Sequence, residues 1–379
     1  MLTMISPKNF YEALGKSEIN FFAGVPDSLL KDLCAYITDN TPSENNIITS
    51  NEGSAIALAS GYHLATGKIG AVYMQNSGQG NAINPLASLA DPDVYSIPIL
   101  LIIGWRGEPG KKDEPQHVKQ GKVTLPLLET LDIPYTVLSD DPTALDGELE
   151  KAKTSMAERS APYALVIKKG TFDEYKLQNK VKTDFELERE GAIKLVVGQL
   201  DAKDILVSTT GKTSRELFEF REELKQGHEK DFLTVGSMGH SSQIASGIAL
   251  QKPNRKVYCL DGDGAFIMHT GSLAAIAQQA PKNFKHIIFN NGAHDSVGGQ
   301  PTAGFDIDIP AIAKAFGYKN ADTAQTENEI KEKVQALKQQ EGPALLEIKV
   351  NKGARKDLGR PTTTPQENKA AFMEFVKSD

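Results

Sequence analysis

The chain has 379 residues, of which 40% are hydrophobic and 24% charged, with a formal net charge of -7. That length suits two domains of ordinary size, and the composition is that of a globular protein rather than a disordered or fibrous one. The acidic balance and the lack of a long basic tract argue against a nucleic-acid partner, and no charged leader or membrane-length apolar run is present, so a cytoplasmic protein without membrane contact is expected.

The expected elements begin with an amphipathic helix over residues 7–16 and a strand over 20–23. The turn Gly24-Val25-Pro26-Asp27-Ser28 follows, with Asp27 or Ser28 capping a helix whose apolar positions 29, 30, 33, 34 and 37 form one face. A strand over 47–49 delivers Asn51 and Glu52 to its carboxyl end, ahead of a helix dense in Gly, Ala and Ser that closes at Gly67-Lys68. On the helix alone, Glu52 reads as an acidic first-turn residue complementing the helix dipole. A strand over 69–75 leads into Asn76-Ser77-Gly78-Gln79-Gly80-Asn81, where Ile83 stands in place of the third glycine of a dinucleotide loop. We read it as a strand-to-helix turn lining a site, with Asn76, Ser77 and Gln79 as ligand contacts. After a buried strand over 98–104 comes WRGEPGKKDEPQHVKQGK, residues 105–122, read as one long functional loop. Arg106, directly after the strand, is placed to grip an anion bidentately. His117 is placed to steer or protonate a substrate, with an ordinary loop histidine as the alternative. A helix near 144–157 and a strand over 163–168 complete the first α/β unit. Residues 171–187 are polar without an apolar period and read as a linker, giving domains over 1–178 and 188–379. Cys34 and Cys259 both lie in apolar contexts, with spacing that fits neither zinc nor a disulfide framework.

The second half opens with a helix near 188–199 and a strand over 205–208. Thr210, Gly211 and Lys212 then offer a hydroxyl, a backbone N–H and an ammonium at a helix N-terminus, a reasonable phosphate site, with plain capping as the alternative. A strand over 232–235 leads to Gly236-Ser237-Met238-Gly239-His240. The stretch from Lys256 to Ala293 organises the chain. A strand over 257–260 is followed by Asp261-Gly262-Asp263-Gly264, a small-residue helix over 271–280, and a strand over 286–289 that ends on Asn290-Asn291-Gly292. Strand, turn, helix and strand place both polar turns at the carboxyl ends of neighbouring parallel strands, where open α/β sheets bind ligands. Asp263 offers a carboxylate, Asn290 and Asn291 offer amide oxygens, and the glycines allow close backbone approach. Hard oxygen donors with few carboxylates suit Mg²⁺ that keeps water and binds phosphates. A calcium loop starting at Asp261 would put Ala265 and Ser272 at ligand positions, which disfavours it. Next, His294-Asp295-Ser296-Val297-Gly298-Gly299 reads as a flap, with His294 and Ser296 as substrate contacts. Helices near 310–316 and 327–339, a strand over 344–350 and a helix from about Gln366 finish the domain. In the tail, Arg355, Lys356 and Arg360 are more often solvated surface, and Arg360 is retained as a contact for an anionic substrate.

GDG followed after 25 residues by NN, with strand, turn, helix and strand between, resembles the thiamine diphosphate motif of the decarboxylase superfamily. The resemblance implies Mg²⁺ held by Asp263, an Asn side chain and a main-chain carbonyl, together with two diphosphate oxygens. Family members usually use the second Asn, here Asn291, with the carbonyl at Ala293; the spacing, one residue longer than in many relatives, keeps Asn290 open. Gly262, Gly264 and Ala265 fall in the same cofactor turn. Glu52 stands where the family carries its catalytic glutamate, whose carboxyl bonds N1′ of the aminopyrimidine. Ser237, Met238 and Gly239 match a turn that contacts the aminopyrimidine, with Met238 as the bulky residue that bends the cofactor. GVPDS at 24–28, NEGSAIALASGY at 51–62, RGEPG, EPQH, GSMGH and HDSVGGQPT extend the similarity over most of the chain. The 105–122 loop is similar to the substrate loop of phosphonopyruvate and sulfopyruvate decarboxylases. Implied, then, are two doubly wound parallel-sheet α/β domains without a middle domain, one pyrimidine-binding and one diphosphate-binding. The implied activity is thiamine diphosphate- and Mg²⁺-dependent decarboxylation of a small 2-oxoacid. Asp27, Ser28, Arg106, His117, His294, Ser296 and Arg360 are expected to face the substrate. The expected assembly is a homo-oligomer, at least a dimer, with the active site between subunits. A sulfopyruvate decarboxylase would use the same residues, whereas a non-catalytic protein of this fold would need neither Glu52 nor Asp263.

Overall fold

Short runs of Val, Ile, Leu and Ala bounded by polar turns become strands covered on both faces, as a parallel sheet requires. The computed structural model describes residues 4–180 and 182–378, and the chain divides into two units, residues 1–180 with 297–300 and residues 181–296 with 301–379. The first unit carries β1 (Phe22–Gly24), β2 (Asn46–Ile48), β3 (Gly70–Gln75), β4 (Ile99–Gly104), β5 (Tyr135–Val137) and β6 (Tyr163–Ile167). They form one parallel sheet in the order β2-β1-β3-β4-β6-β5. The second unit carries β7 (Ile205–Ser208), β8 (Asp231–Leu233), β9 (Val257–Gly262), β10 (Phe284–Asn290), β11 (Asn320–Ala324) and β12 (Ala344–Lys349). Its order is β11-β12-β10-β9-β7-β8, again all parallel. Each sheet has an apolar cluster on both faces. This is the expected fold class, two doubly wound α/β units.

The strand orders locate the crevices. In the first sheet β2 lies on one side of β1 and β3 on the other; in the second, β8 and β9 flank β7 in the same way. Connections leave these strands in opposite directions, opening a gap at the carboxyl edge where ligands bind in such sheets. The first edge receives Glu52 after β2, Asp27 after β1, Gly78 after β3 and Arg106 after β4. The second receives Met238 after β8, Lys212 after β7, Asp263 after β9 and Asn291 after β10.

Several elements differ from the sequence reading. The first-unit helix expected from Leu29 begins at Lys31, and its N-cap Leu30 has no side-chain cap. Asp27 instead caps the preceding turn, accepting from Leu29 N–H at 2.9 Å and Leu30 N–H at 3.3 Å. The 105–122 segment is not one loop: a helix starts at Pro115 and runs to Thr130. Proline at a first helical position loses no bond it would otherwise make and brings a pre-set φ, a signal hidden among the charges and glycines around it. The segment after Asp263 is helical at once, over Asp263–Met268, before the expected small-residue helix at Ser272–Gln279. The edge strands β5 and β11 had no apolar run to announce them. Cys34 and Cys259 are both buried and unpaired by any disulfide. Among the described residues no helix is long and apolar enough to cross a membrane.

Candidate active site

Glu52 opens the helix Glu52–Thr66, whose N-cap Asn51 accepts from Ser54 N–H and whose C-cap Gly67 has φ 71°. The helix lies close against its neighbours because it is small-sided: a β-carbon on Gly53 would sit 2.8 Å from the Asn81 carbonyl oxygen. Glu52 is only 5% exposed. Its Oε2 accepts from Asn81 Nδ2 at 2.7 Å, and Gly78 lies against the other side of the carboxyl, where a β-carbon would fall 2.5 Å from Cδ and 2.6 Å from Cγ. A buried carboxyl is thus fixed at a strand end by one amide and one missing side chain.

The neighbouring turns form a second cluster in the same unit. Asp27 is fully buried, and burial pushes its carboxyl above the usual carboxylate range against its backbone hydrogen bonds and the nearby Arg106 charge. Gly104 makes room for it, since a β-carbon there would meet the Asp27 carboxylate. Arg106 donates through Nη1 to Ser28 Oγ at 2.6 Å and through Nε to Asp113 Oδ2 at 2.8 Å. His117, in the first turn of the helix Pro115–Thr130, places Nδ1 2.9 Å from Asp113 Oδ1. Burial holds the His117 imidazole below its ordinary pKa, with the hydrogen bond to Asp113 acting the other way. The helix seats against the loop at two glycines: a β-carbon on Gly121 would lie 2.8 Å from Gly107 Cα.

Asn76 and Gln79, expected to face a ligand, are largely drawn into the scaffold. Asn76 Nδ2 donates to the Arg106 carbonyl and to Thr124 Oγ1, both at 2.8 Å, while its Oδ1 accepts from Arg106 N–H at 3.2 Å. It ties the ends of β3 and β4 to the helix. Gln79 Nε2 donates to the Thr124 carbonyl at 3.3 Å, leaving its buried Oε1 without a partner. Ser77 Oγ accepts from Gln75 Nε2 at 2.7 Å.

In the second unit, Asp263 begins a helix directly after β9 and is 3% exposed. Its partners are neutral donors: the Thr302 hydroxyl and the backbone N–H groups of Asn291, Asp263 and Gly264. Burial outweighs them and pushes the carboxyl up to about 6. Beside it, the Asn291 amide oxygen accepts from Ala293 N–H at 3.1 Å, and the Ala293 carbonyl accepts from Asp295 N–H at 2.8 Å. Asn290 is engaged differently, its Nδ2 donating to the Gly304 carbonyl at 2.6 Å and to Glu347 Oε1 at 2.7 Å. Gly304 approaches so closely that a β-carbon would lie 2.5 Å from Asn290 Oδ1 and 2.7 Å from Asp263 Oδ2. A buried acid compensated only by neutral donors, among them the N–H of Asn291, whose turn also carries an amide oxygen and the Ala293 carbonyl, is chemistry that suits a hard divalent cation.

Around this centre, Ser237 has φ 53° and Gly239 φ 82°, so the turn after β8 is strongly bent. That turn brings the Met238 methyl to Gly264, and the segment after β10 brings the His294 ring there, each 3.3 Å from where a β-carbon would stand. Burial lowers the His294 pKa to about 4. Ser296 is exposed and borders Gly211, with Oγ 3.2 Å from the β-carbon position there. Lys212 does not extend freely from its helix end: Nζ donates to Asp295 Oδ2 at 3.0 Å and to the Asp295 carbonyl at 3.1 Å. Thr210 is half-buried, and Gly262 and Ala265 flank Asp263 along the chain, with Ala265 buried. Arg360 lies at an exposed position in the tail, and Arg355 pairs with Glu190 and Glu219. Asp113, Asn81 and Asp295 were missed from sequence. Only Asp113 had a usable signal, its position four residues before His117 at a helix start.

Residues 8–125 match the family described as thiamine pyrophosphate enzyme, N-terminal TPP binding domain, and residues 209–348 match thiamine pyrophosphate enzyme, C-terminal TPP binding domain. The chain is 35% identical to a phosphonopyruvate decarboxylase of Streptomyces hygroscopicus, over 98% of this chain and 94% of that one. A phosphonopyruvate decarboxylase of Streptomyces viridochromogenes is 33% identical, over 98% and 95%. A sulfopyruvate decarboxylase of Methanosarcina acetivorans is 27% identical, over 96% of each. The chain belongs to the thiamine pyrophosphate enzymes and, among them, to the 2-oxoacid decarboxylases.

Proposed function

We propose that the chain decarboxylates 3-phosphonopyruvate to phosphonoacetaldehyde and CO₂, using thiamine diphosphate and Mg²⁺, in phosphonate biosynthesis of the 2-aminoethylphosphonate type. The observation that carries the reading is a pair of buried carboxyls on one chain, one at the carboxyl edge of each sheet, each met by neutral donors. Glu52 is held by a single amide donor at the edge of the first sheet, and Asp263 is compensated only by neutral donors at the edge of the second. The choice of acid rests on the similarity to phosphonopyruvate decarboxylases along nearly the whole chain.

Bound thiamine diphosphate supplies an electron sink for the pair left behind by CO₂. Asp263, the Asn291 side-chain oxygen and the Ala293 carbonyl would hold Mg²⁺. Backbone N–H groups of Thr210 and Gly211, with Gly262, Gly264 and Ala265, would receive the diphosphate. Lys212, held on Asp295, would add its charge at the same edge. Ser237, Met238 and Gly239 would support the aminopyrimidine, with Met238 bearing on its underside. Glu52 would bond N1′ and exchange its proton, with Asn81 fixing which oxygen is presented. His117 would deliver or accept a proton at the substrate. Asp27, Ser28 and Arg106, then His294, Ser296 and Arg360, are the further substrate contacts we propose, and the working form is a homo-oligomer of at least two copies.

The test is CO₂ release by purified chain with thiamine diphosphate and Mg²⁺ from phosphonopyruvate, sulfopyruvate and pyruvate, alongside mass by light scattering. Highest kcat/KM for phosphonopyruvate is expected. A clear preference for sulfopyruvate refutes the choice of acid, and a monomer at full activity refutes the shared-site assembly.

A further inference from the structure

Sequence singles out Arg106 and His117; the structure puts Asp113 between them. Asp113 accepts from Arg106 Nε at 2.8 Å and from Arg106 Nη2, from His117 Nδ1 at 2.9 Å, and from the backbone N–H groups of Gly107 at 2.8 Å and Glu114 at 2.7 Å. Burial alone would raise this carboxyl, but the bonds from Arg106, His117 and Gly107 hold it well below the usual carboxylate range. It is therefore an anion throughout the physiological range, able only to accept.

Two consequences follow from that. Facing an acceptor-only oxygen, His117 must carry its proton on Nδ1, so in the neutral ring Nε2 is the bare nitrogen. Arg106 has Nε and Nη2 committed to Asp113, and Nη1 goes to Ser28. The guanidinium is thus aimed as well as half-neutralised. The Gly107–Gly121 approach locks the segment that carries both groups.

We propose that Asp113 is the positioning residue of this edge, fixing His117 as the Nδ1–H tautomer with Nε2 presented and setting the direction of Arg106. The proposal deepens the reading of His117 as a substrate-facing acid–base group, and rests on it. Three charged groups face His117: Asp113 and Arg106 from the segment after β4, and Asp27 from the turn after β1. The two carboxylates favour the imidazolium, whereas Arg106 and burial oppose it.

The signs give a two-variant test. Histidine-labelled enzyme is titrated by ¹⁵N NMR without substrate, and kcat/KM of the holoenzyme is measured across pH. Wild type should show His117 protonated at Nδ1. Asp113→Asn removes the anion and leaves the arginine charge, so the His117 titration should move down by about one pH unit. The Nδ1–H preference should be lost, and kcat/KM at neutral pH should fall about 10²-fold. Arg106→Gln removes the opposing cation, so the same titration should move up. Unchanged tautomer and titration in Asp113→Asn, whatever its activity, overturns the proposal. If that variant does not fold, Arg106→Gln decides alone, and an absent or downward shift overturns it. Wild type that releases no CO₂ instead refutes the proposed reaction, while the NMR titration still decides the role of Asp113.

Discussion

Gly78→Ala isolates the geometry of Glu52 without touching its chemistry. Gly78 has φ -72° and ψ -14°, an ordinary helical conformation, so alanine brings no backbone strain. The new methyl, however, would lie 2.5 Å from Glu52 Cδ and 2.6 Å from Cγ, where unstrained carbon contacts need about 3.5–4.0 Å. Roughly an ångström must be found. Either the surroundings give, at an overpacking cost of about 1–3 kcal/mol, or the carboxyl swings away and gives up its 2.7 Å bond from Asn81, worth roughly 0.5–3 kcal/mol. Both routes predict a modest loss of stability, but they converge on function. A reacting group displaced by about 1 Å loses on the order of 10²-fold in rate. The assay is turnover at saturating thiamine diphosphate and Mg²⁺, with cofactor affinity measured separately and expected to stay near wild type because Asp263 is untouched. In a Glu52→Ala background the methyl has room, so adding Gly78→Ala should cost no further stability or rate, a non-additive pattern expected of residues in contact. Wild-type turnover in Gly78→Ala would refute the placement of Glu52 at the chemistry.

Glu52→Ala itself should keep thiamine diphosphate binding, read by titration, while losing about 10²–10⁴-fold in decarboxylation, because in the role we propose the carboxyl exchanges a proton rather than anchoring the cofactor. Asp263→Ala and Asn291→Ala should each weaken Mg²⁺-dependent cofactor binding with the fold intact. Asn290→Ala should instead lower stability by roughly 1–3 kcal/mol in denaturant unfolding, since it strands buried partners; the reverse pattern would exchange the two roles. Lys285 is buried, donates to the Gln340 carbonyl, and burial, with Lys256 adding repulsion, pushes its ammonium down to about 8. Its folded pKa lies below the unfolded value, so between about pH 8 and 10 the unfolded state binds more protons and stability should rise with pH. Lys285→Met should remove that rise, at most about 3 kcal/mol and less once solvent screening is allowed for, and a pH dependence of unfolding identical to wild type would count against a buried ammonium with a lowered pKa.

What was legible in the sequence was whatever expressed itself in one stretch of chain. The small-residue run after Glu52 announces a closely packed helix, and the alternation of buried strands with helices announces a doubly wound sheet. The GDG turn and the asparagine pair straddle the ends of β9 and β10, so their position at the carboxyl edge could be read directly. Illegible were features that depend on a partner distant in sequence. β11 is a strand because β12 offers it an edge, not because Asn320–Ala324 is apolar. Gly121 reads as a loop residue until Gly107, in the preceding segment, is seen to need its missing side chain. Asn76 looks like a ligand contact in sequence, but Thr124 and the Arg106 backbone take up its amide.

The same physics separates the two asparagines, equal candidates by composition. Glu347, on β12, is 2% exposed, and its carboxylate takes Asn290 Nδ2 on one oxygen and Thr323 Oγ1 at 2.8 Å on the other. A carboxylate so deep in a sheet is tolerated only with donors on it. Asn290 therefore serves Glu347 with its nitrogen and Gly292 N–H with its oxygen, the latter at 3.1 Å. Turning that oxygen to a cation would disturb a bond that holds the start of the Asn291–Ala293 turn. Asn291 carries no such obligation to β12: its oxygen spans only to Ala293 N–H, inside the turn that also presents the Ala293 carbonyl. Asn290 thus supports the sheet, and the metal role we propose falls to the residue after it.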